Sequence, residues 1–251
     1  MERILTPDMG LQWVHDSVSV KDFEVFLRKL FAYLTGRPQK KASAQEFADR
    51  RQSLYLGKVL KRTQELKQLP AYPEVAAAVA LSGYPDIDAV IARYERMLTR
   101  ALKRSDQEQV SVIGHGDLFF ANILYYKETG LMKFIDVKGA LTEEDMWTDP
   151  YYDLAKMSHS VNGNYDFITS DLFDLMMTED CRLTLRILKK DTADYSAMFR
   201  QRLEQAGYDY MLVRLFEASL FLSMLPLHID HPRRVIAFIY NAISILDDLE
   251  Q

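Results

Sequence analysis

The sequence is poor in the residues that staple chains together or anchor them in lipid. It has one cysteine, Cys181, in 251 residues, so no disulfide can form within the chain, and a lone thiol fits a reducing, cytoplasmic setting. Cys181 is expected to pack as a small apolar side chain and not to act as a nucleophile. Positive charge is not in surplus. The 31 lysines and arginines are outnumbered by 36 acidic residues, for a net charge of −5, which argues against a nucleic-acid partner held through its phosphates. Residues 1–8 have neither the apolar centre nor the cleavage pattern of a signal peptide. The most apolar stretch, residues 211–229, is interrupted by Arg214, Glu217, Pro226 and His228, and it falls short of the roughly 20 apolar residues of a membrane span. Repeats, low-complexity segments and flexible linkers are missing. No glycine-rich loop precedes Gly114, and no Walker-type phosphate loop occurs. What is present, 48% hydrophobic and 27% charged residues, is ordinary for a soluble chain with a packed core.

The first hundred residues have the period of helices. Phe23, Phe26, Leu27, Leu30, Phe31 and Leu34 share one face, and Gly36 with Pro38 ends that run. Ser43 and Glu46 have capping-box spacing and are expected to open one long helix through Phe47, Leu54, Val59 and Leu66, stopping before Pro70. A third helix is expected over 88–103. The period then changes. Residues 110–113 are β-prone, and residues 121–126 and 131–137 flank a turn at 127–130 with Gly130 in it, the pattern of a hairpin. Asp149 and Pro150 mark a helix start, and Asn162-Gly163 a helix end. Further helices are expected at about 170–178, 194–206, 208–225 and 232–249. The expected fold is therefore mainly α with a small β hairpin, in a single domain over 1–251. It divides into an N-terminal segment (1–20), helices (21–104), a loop and hairpin (110–137) and a helical body (149–251).

The chemistry concentrates in one place. His115-Gly-Asp117 is followed five positions later by Asn122, between two β-prone runs, and Asp136 ends the second arm of the hairpin. Phosphoryl transfer needs this set: a carboxylate to orient or deprotonate a hydroxyl, and an amide oxygen with a second carboxylate to hold magnesium on the nucleotide phosphates. Such hard oxygen donors suit magnesium, whereas softer metals would call for clusters of His and Cys. A rival reading is a metal-dependent hydrolase using His115, Asp117, His159 and Asp136, which would have to converge within about 2.0–2.2 Å of one ion.

These residues resemble the catalytic segment of the aminoglycoside phosphotransferase and choline kinase family, whose fold is protein-kinase-like. His115-Gly-Asp117-x4-Asn122 is similar to the family's catalytic loop, Phe134-Ile-Asp136 to its metal-binding segment, and Asp149-Pro-Tyr-Tyr-Asp153-Leu-Ala to the helix that follows. The likeness covers roughly residues 90–165. It implies the C-terminal catalytic lobe of that fold, with Asp117 as the catalytic carboxylate and Asn122 and Asp136 as magnesium ligands. His115 and Asp153 would support the catalytic loop, and Asp153 would accept backbone hydrogen bonds from below it. Lys156, His159, Tyr165 and Asp166 lie where the family shapes its acceptor pocket. A weaker likeness, over residues 153–166, is to bacterial phosphotransferases associated with surface polysaccharides.

The resemblance has departures. The Phe-Gly expected after the metal-binding Asp is replaced by Val137-Lys138, with Gly139 one place late, and Lys138 reads as a solvated lysine. The family's N-terminal β lobe, with its phosphate-binding strand lysine, has no counterpart here, so a longer chain carrying that lobe is expected. The expected function is transfer of the γ-phosphoryl group of ATP or GTP to a hydroxyl of a sugar, amino alcohol or aminoglycoside, with Mg2+. The alternative is a non-catalytic, pseudokinase-like binding module.

Overall fold

Asp8 starts the first helix, α1 (Met9–Val14), by accepting the Leu11 N–H at 2.8 Å. α2 (Val20–Thr35) opens on a complete capping box between Ser19 and Asp22 and buries the apolar face read from the sequence, Phe23 to Leu34. Reciprocal satisfaction of two end N–H groups fixes the start of such a helix. The computed structural model describes residues 6–104 and 108–250; the signal-peptide reading concerns, in part, residues 1–5, which lie outside them.

The long helix expected after Ser43 forms as one continuous helical run, stopping before Pro70, with a π-helical segment inside it. The Ser43–Glu46 capping box opens α3 (Ala44–Arg51), a π-helical turn follows at Gln52–Gly57, and α4 (Lys58–Lys67) completes the run. An i→i+5 turn widens the helix locally and re-aims its faces, and here it carries Tyr55 and Leu56 into the core. α5 (Tyr72–Ala80), which the sequence reading passes over, starts on Pro73, and α6 (Ile87–Arg104) extends the expected third helix by a residue at each end.

Among the described residues the β structure is three small antiparallel sheets and not one hairpin. β1 (Gln39–Lys41), in a region read as helical, pairs with β2 (Val110–Ile113). β3 (Ile123–Tyr126) and β4 (Leu131–Phe134) make the expected hairpin, with Ile123 opposite Phe134 and Gly130 at φ 66 in its turn. β5 (Trp147–Thr148) joins the free edge of β2.

The helical body follows as α7 (Tyr151–Val161) and α8 (Tyr165–Thr169). The helix expected at 170–178 is instead a strand, β6 (Phe173–Met177), paired with β7 (Leu183–Ile187). Apolar residues at 172, 173, 175, 176 and 177 suit either period. The turn decides. Cys181 sits at φ 59, and the Thr178 side chain bonds both Asp180 and the Arg182 carbonyl. Cys181 is consequently exposed and not packed as expected. α9 (Ala193–Gln205), α10 (Tyr210–Met224) and α11 (Pro232–Asp248) complete the chain close to their expected places.

α10 is the axis of the body, packed against α4, α6, α7 and α11. By length and composition, Tyr210–His228 could cross a membrane, but 78% of its most apolar window is buried inside this fold. A core helix that is apolar all round gives the same signal. Among the described residues, buried ion pairs include Arg37–Asp153, Arg51–Asp149 and Arg214–Glu217. Two of them, at α7's start, tie α7 to earlier parts of the chain.

Candidate functional site

The loop between β2 and β3 is held from below by one carboxylate. Asp153, in the first turn of α7 and fully buried, accepts the N–H of His115 at 2.8 Å and that of Gly116 at 2.9 Å. A carboxylate taking two backbone N–H bonds needs a cation when it has no water. Arg37 supplies it at 2.8 Å, while its other nitrogens bond the carbonyls of Leu34 and Pro150. Asp149 plays a parallel part. Its carboxylate takes the Tyr151 N–H at 2.8 Å and meets Arg51.

His115 links the loop to the segment after β4. Its ring is 1% exposed, its Nδ1 accepts the Asp117 N–H at 3.3 Å, and its Nε2 therefore carries the hydrogen that bonds the Ile135 carbonyl at 3.1 Å. Two backbone bonds complete the clip, Ile135 N–H to the Asn122 carbonyl at 3.0 Å and Lys138 N–H to the His115 carbonyl at 2.9 Å. Between these ties the chain turns through Asp136, exposed and at φ 56. Asp and Asn tolerate that left-handed conformation better than most residues. Gly116, at φ 82, lets the two segments approach: a β-carbon there would stand 2.7 Å from that of Lys138. The Lys138 side chain is exposed.

Asp117 is thus fixed by its backbone, with its side chain 37% exposed. Asn122 donates its Nδ2–H to the Asp117 carbonyl at 2.9 Å, and the same nitrogen lies 3.4 Å from Asp117 Oδ2. The other carboxylate oxygen, Oδ1, pairs with Lys156 Nζ at 2.8 Å. Phe120 N–H bonds the Ser160 hydroxyl at 3.1 Å, a further tie between the loop and α7.

A cavity of about 190 Å3 opens beside Asp117, and Lys58, Phe119, Lys156, Tyr165 and His228 contribute to its wall. Of the four residues expected to shape an acceptor pocket, Lys156 and Tyr165 line it. His159 and Asp166 do not; both are buried. His159 lies between the Tyr165 ring at 4.1 Å and the Phe221 ring at 4.2 Å, with neither ring nitrogen bonded, and burial holds its pKa well below 6.5. Burial likewise raises Asp166 to about 7. Their spacing put them on the same stretch of chain as Lys156, but on the faces of α7 and α8 that meet the core.

Lys58 was not marked by the sequence reading, nor was Arg37. Lys58 opens α4 directly after the π-helical turn, bonds the Tyr152 hydroxyl at 3.3 Å, and has its pKa lowered to about 8. Burial is the main cause, with Lys156 and Lys138 adding repulsion. On the other flank of the loop a cleft of about 470 Å3 runs past Arg50, Gly114, Gly116, Lys138 and Trp147.

Among the described residues no group of three or more His, Cys, Asp and Glu side chains could hold a metal ion, which leaves the hydrolase arrangement of His115, Asp117, His159 and Asp136 without a converged ligand set. The pair Asn122 and Asp136 is of another kind. Asn122 donates its Nδ2–H to Asp117, so Oδ1 is left as its acceptor, and Asp136 is solvent-facing; two hard oxygens suit magnesium, which keeps several waters. No family model matches the chain, and no curated protein matches it either.

Proposed function

We propose that the chain is the catalytic lobe of a small-molecule kinase, transferring the γ-phosphoryl group of ATP or GTP to a hydroxyl. The observation that carries this reading is the placement of Asp117: a carboxylate on a loop tied at both flanks, standing at the wall of a cavity, with Asn122 bonded to it and Asp136 clipped alongside.

Asn122 and Asp136 would hold Mg2+, which when bound supplies the charge neutralisation that phosphoryl transfer needs. Asp117 orients the acceptor hydroxyl and takes its proton as that oxygen bonds to the γ-phosphorus; the bond from phosphorus to the bridging oxygen breaks, and its electron pair leaves with the nucleoside diphosphate. Positioning dominates such a reaction, and a loop held by Asp153, His115 and Ser160 gives position. In this reading a β-rich N-terminal lobe of a longer chain would cover the nucleotide, and the acceptor is a small molecule, with Lys156 and Tyr165 among its contacts.

The test is magnesium-dependent nucleotide consumption against a panel of sugars, amino alcohols and aminoglycosides. Asp117→Asn is expected to remove turnover while leaving the unfolding midpoint within a few degrees. Turnover that survives Asp117→Asn would rule out the assigned role. Binding of the magnesium nucleotide with no consumption by any acceptor, in a longer chain that carries the N-terminal lobe, would favour the non-catalytic module instead.

A further inference from the structure

The cavity beside Asp117 has an unusual charge balance. Asp117 is the one carboxylate among its lining residues, and it already faces Lys156 at 2.8 Å. Lys58 stands on the same wall and, among the described residues, has no carboxylate in ion-pair contact; it donates to the neutral Tyr152 hydroxyl at 3.3 Å. A partly buried ammonium without a bonded counter-charge is costly, and the Lys58 pKa is lowered to about 8 by burial first and then by Lys156, Lys138 and Arg62, against the raising effect of Asp117. His228, also on the wall, has its pKa held below the ordinary value by burial and by nearby cationic groups, and its ring can share a hydrogen bond. The remaining wall is mostly apolar or aromatic, from Phe119, Tyr165, Leu220, Met224 and Leu227, together with Ser223, whose hydroxyl donates to the Leu220 carbonyl.

We infer that this cavity takes an acceptor bearing a negatively charged group, a carboxylate or phosphate on a sugar-sized molecule, which Lys58 and Lys156 bind while a neighbouring hydroxyl is presented to Asp117. The inference rests on the phosphotransferase reading for the word acceptor, but the anion site is a property of the cavity alone. A charged ligand group gains most where its partner is desolvated and otherwise unpaired, which is the condition of Lys58. A cationic amino alcohol or aminoglycoside would meet two ammonium groups and gain one shared carboxylate. At about 190 Å3 the enclosed space is below the roughly 300–1,000 Å3 of drug-sized pockets, which limits the enclosed portion to about one ring.

The experiment is a calorimetric or NMR titration of the purified chain, without nucleotide, with D-glucuronate, glucose 6-phosphate, glucose and glucosamine. The two anions are expected to bind at least tenfold more tightly than the other two. Lys58→Met should remove that preference and Lys58→Arg should keep it. Affinity should fall as pH rises through about 8 in the wild-type chain, where Lys58 faces Lys156, Lys138, Arg62 and Asp117, and should stay level in Lys58→Arg. Equal or tighter binding of glucose or glucosamine, or an unchanged preference in Lys58→Met, overturns the inference. These readings need no turnover, so anion binding together with no transfer by a longer chain that carries the N-terminal lobe defeats the kinase reading and leaves the anion site standing. Turnover confined to neutral or amine acceptors, or a Lys58→Met defect confined to the KM for nucleotide, defeats the acceptor inference and leaves the kinase reading standing.

Discussion

Arg37 and Asp153 meet at 2.8 Å with side chains 2% and 0% exposed, and between them they connect the end of α2, the start of α7 and the loop that presents Asp117. Both groups are withdrawn from solvent. A buried pair of this sort adds little net stability over a well-packed apolar substitute, but removing one partner strands the other.

Arg37→Met is therefore expected to cost roughly 3–5 kcal/mol, read as a lowered denaturant midpoint. Asp153→Asn also destabilises, since an amide nitrogen would oppose a donor at one of its three bonds. The double variant should lose clearly less than the sum of the two singles, because the second change removes a charge already stranded. Additive losses would show that the pair does not act as a unit.

Lys156 bears on Asp117 directly. If the carboxylate must be held at a fixed angle to the acceptor hydroxyl, loss of the 2.8 Å contact frees it to rotate, and misplacement by about 1 Å can cost on the order of 100-fold in rate. Lys156→Met is expected to lower kcat by about 10–100-fold, with the KM for nucleotide little changed. Lys156→Arg should restore most of the rate. A variant that leaves kcat intact would make the contact incidental to phosphoryl transfer.

The sequence carried the parts of this fold whose signals are local. The Ser43–Glu46 capping box and the turn at Gly130 are each fixed by residues three or four apart, and the helix start after Ser43 and the hairpin were legible for that reason, as α2 was from the spacing of its apolar face. Residues 170–178 were not, because their apolar pattern serves either period and the deciding turn lies beyond them, at Cys181. Short edge strands such as β1 and β5 gain their hydrogen bonds from β2, about 70 and 35 residues away, so nothing near Gln39 or Trp147 announces them. The same holds for the site. The spacing of His115, Asp117 and Asn122 marks a loop, whereas Arg37 and Lys58 reach it only through packing of α2 and α4. His159 and Asp166 looked like pocket residues because helix faces cannot be assigned before the neighbours of α7 and α8 are known.

Asp166 gives a pH signature that separates its buried position from a pocket role. Its side chain is buried and Oδ2 has no partner; burial, aided by the nearby Asp8 charge, lifts its pKa from an ordinary 3.8 to about 7 against the lowering effect of Ser160. Between those values the folded chain holds a proton that the unfolded chain has released. Stability from this group is therefore complete below about pH 3.8, declines as pH rises through the interval, and is gone above about 7; the full span is at most roughly 4 kcal/mol. Asp166→Asn has the shape of the protonated acid and cannot ionise. Whatever constant offset the amide introduces, the variant should gain on the wild-type chain by about 2–4 kcal/mol between pH 4 and pH 8, measured by urea unfolding at each pH. A difference that stays level across that range would place Asp166 in contact with solvent, and return it to the list of residues that could meet a ligand.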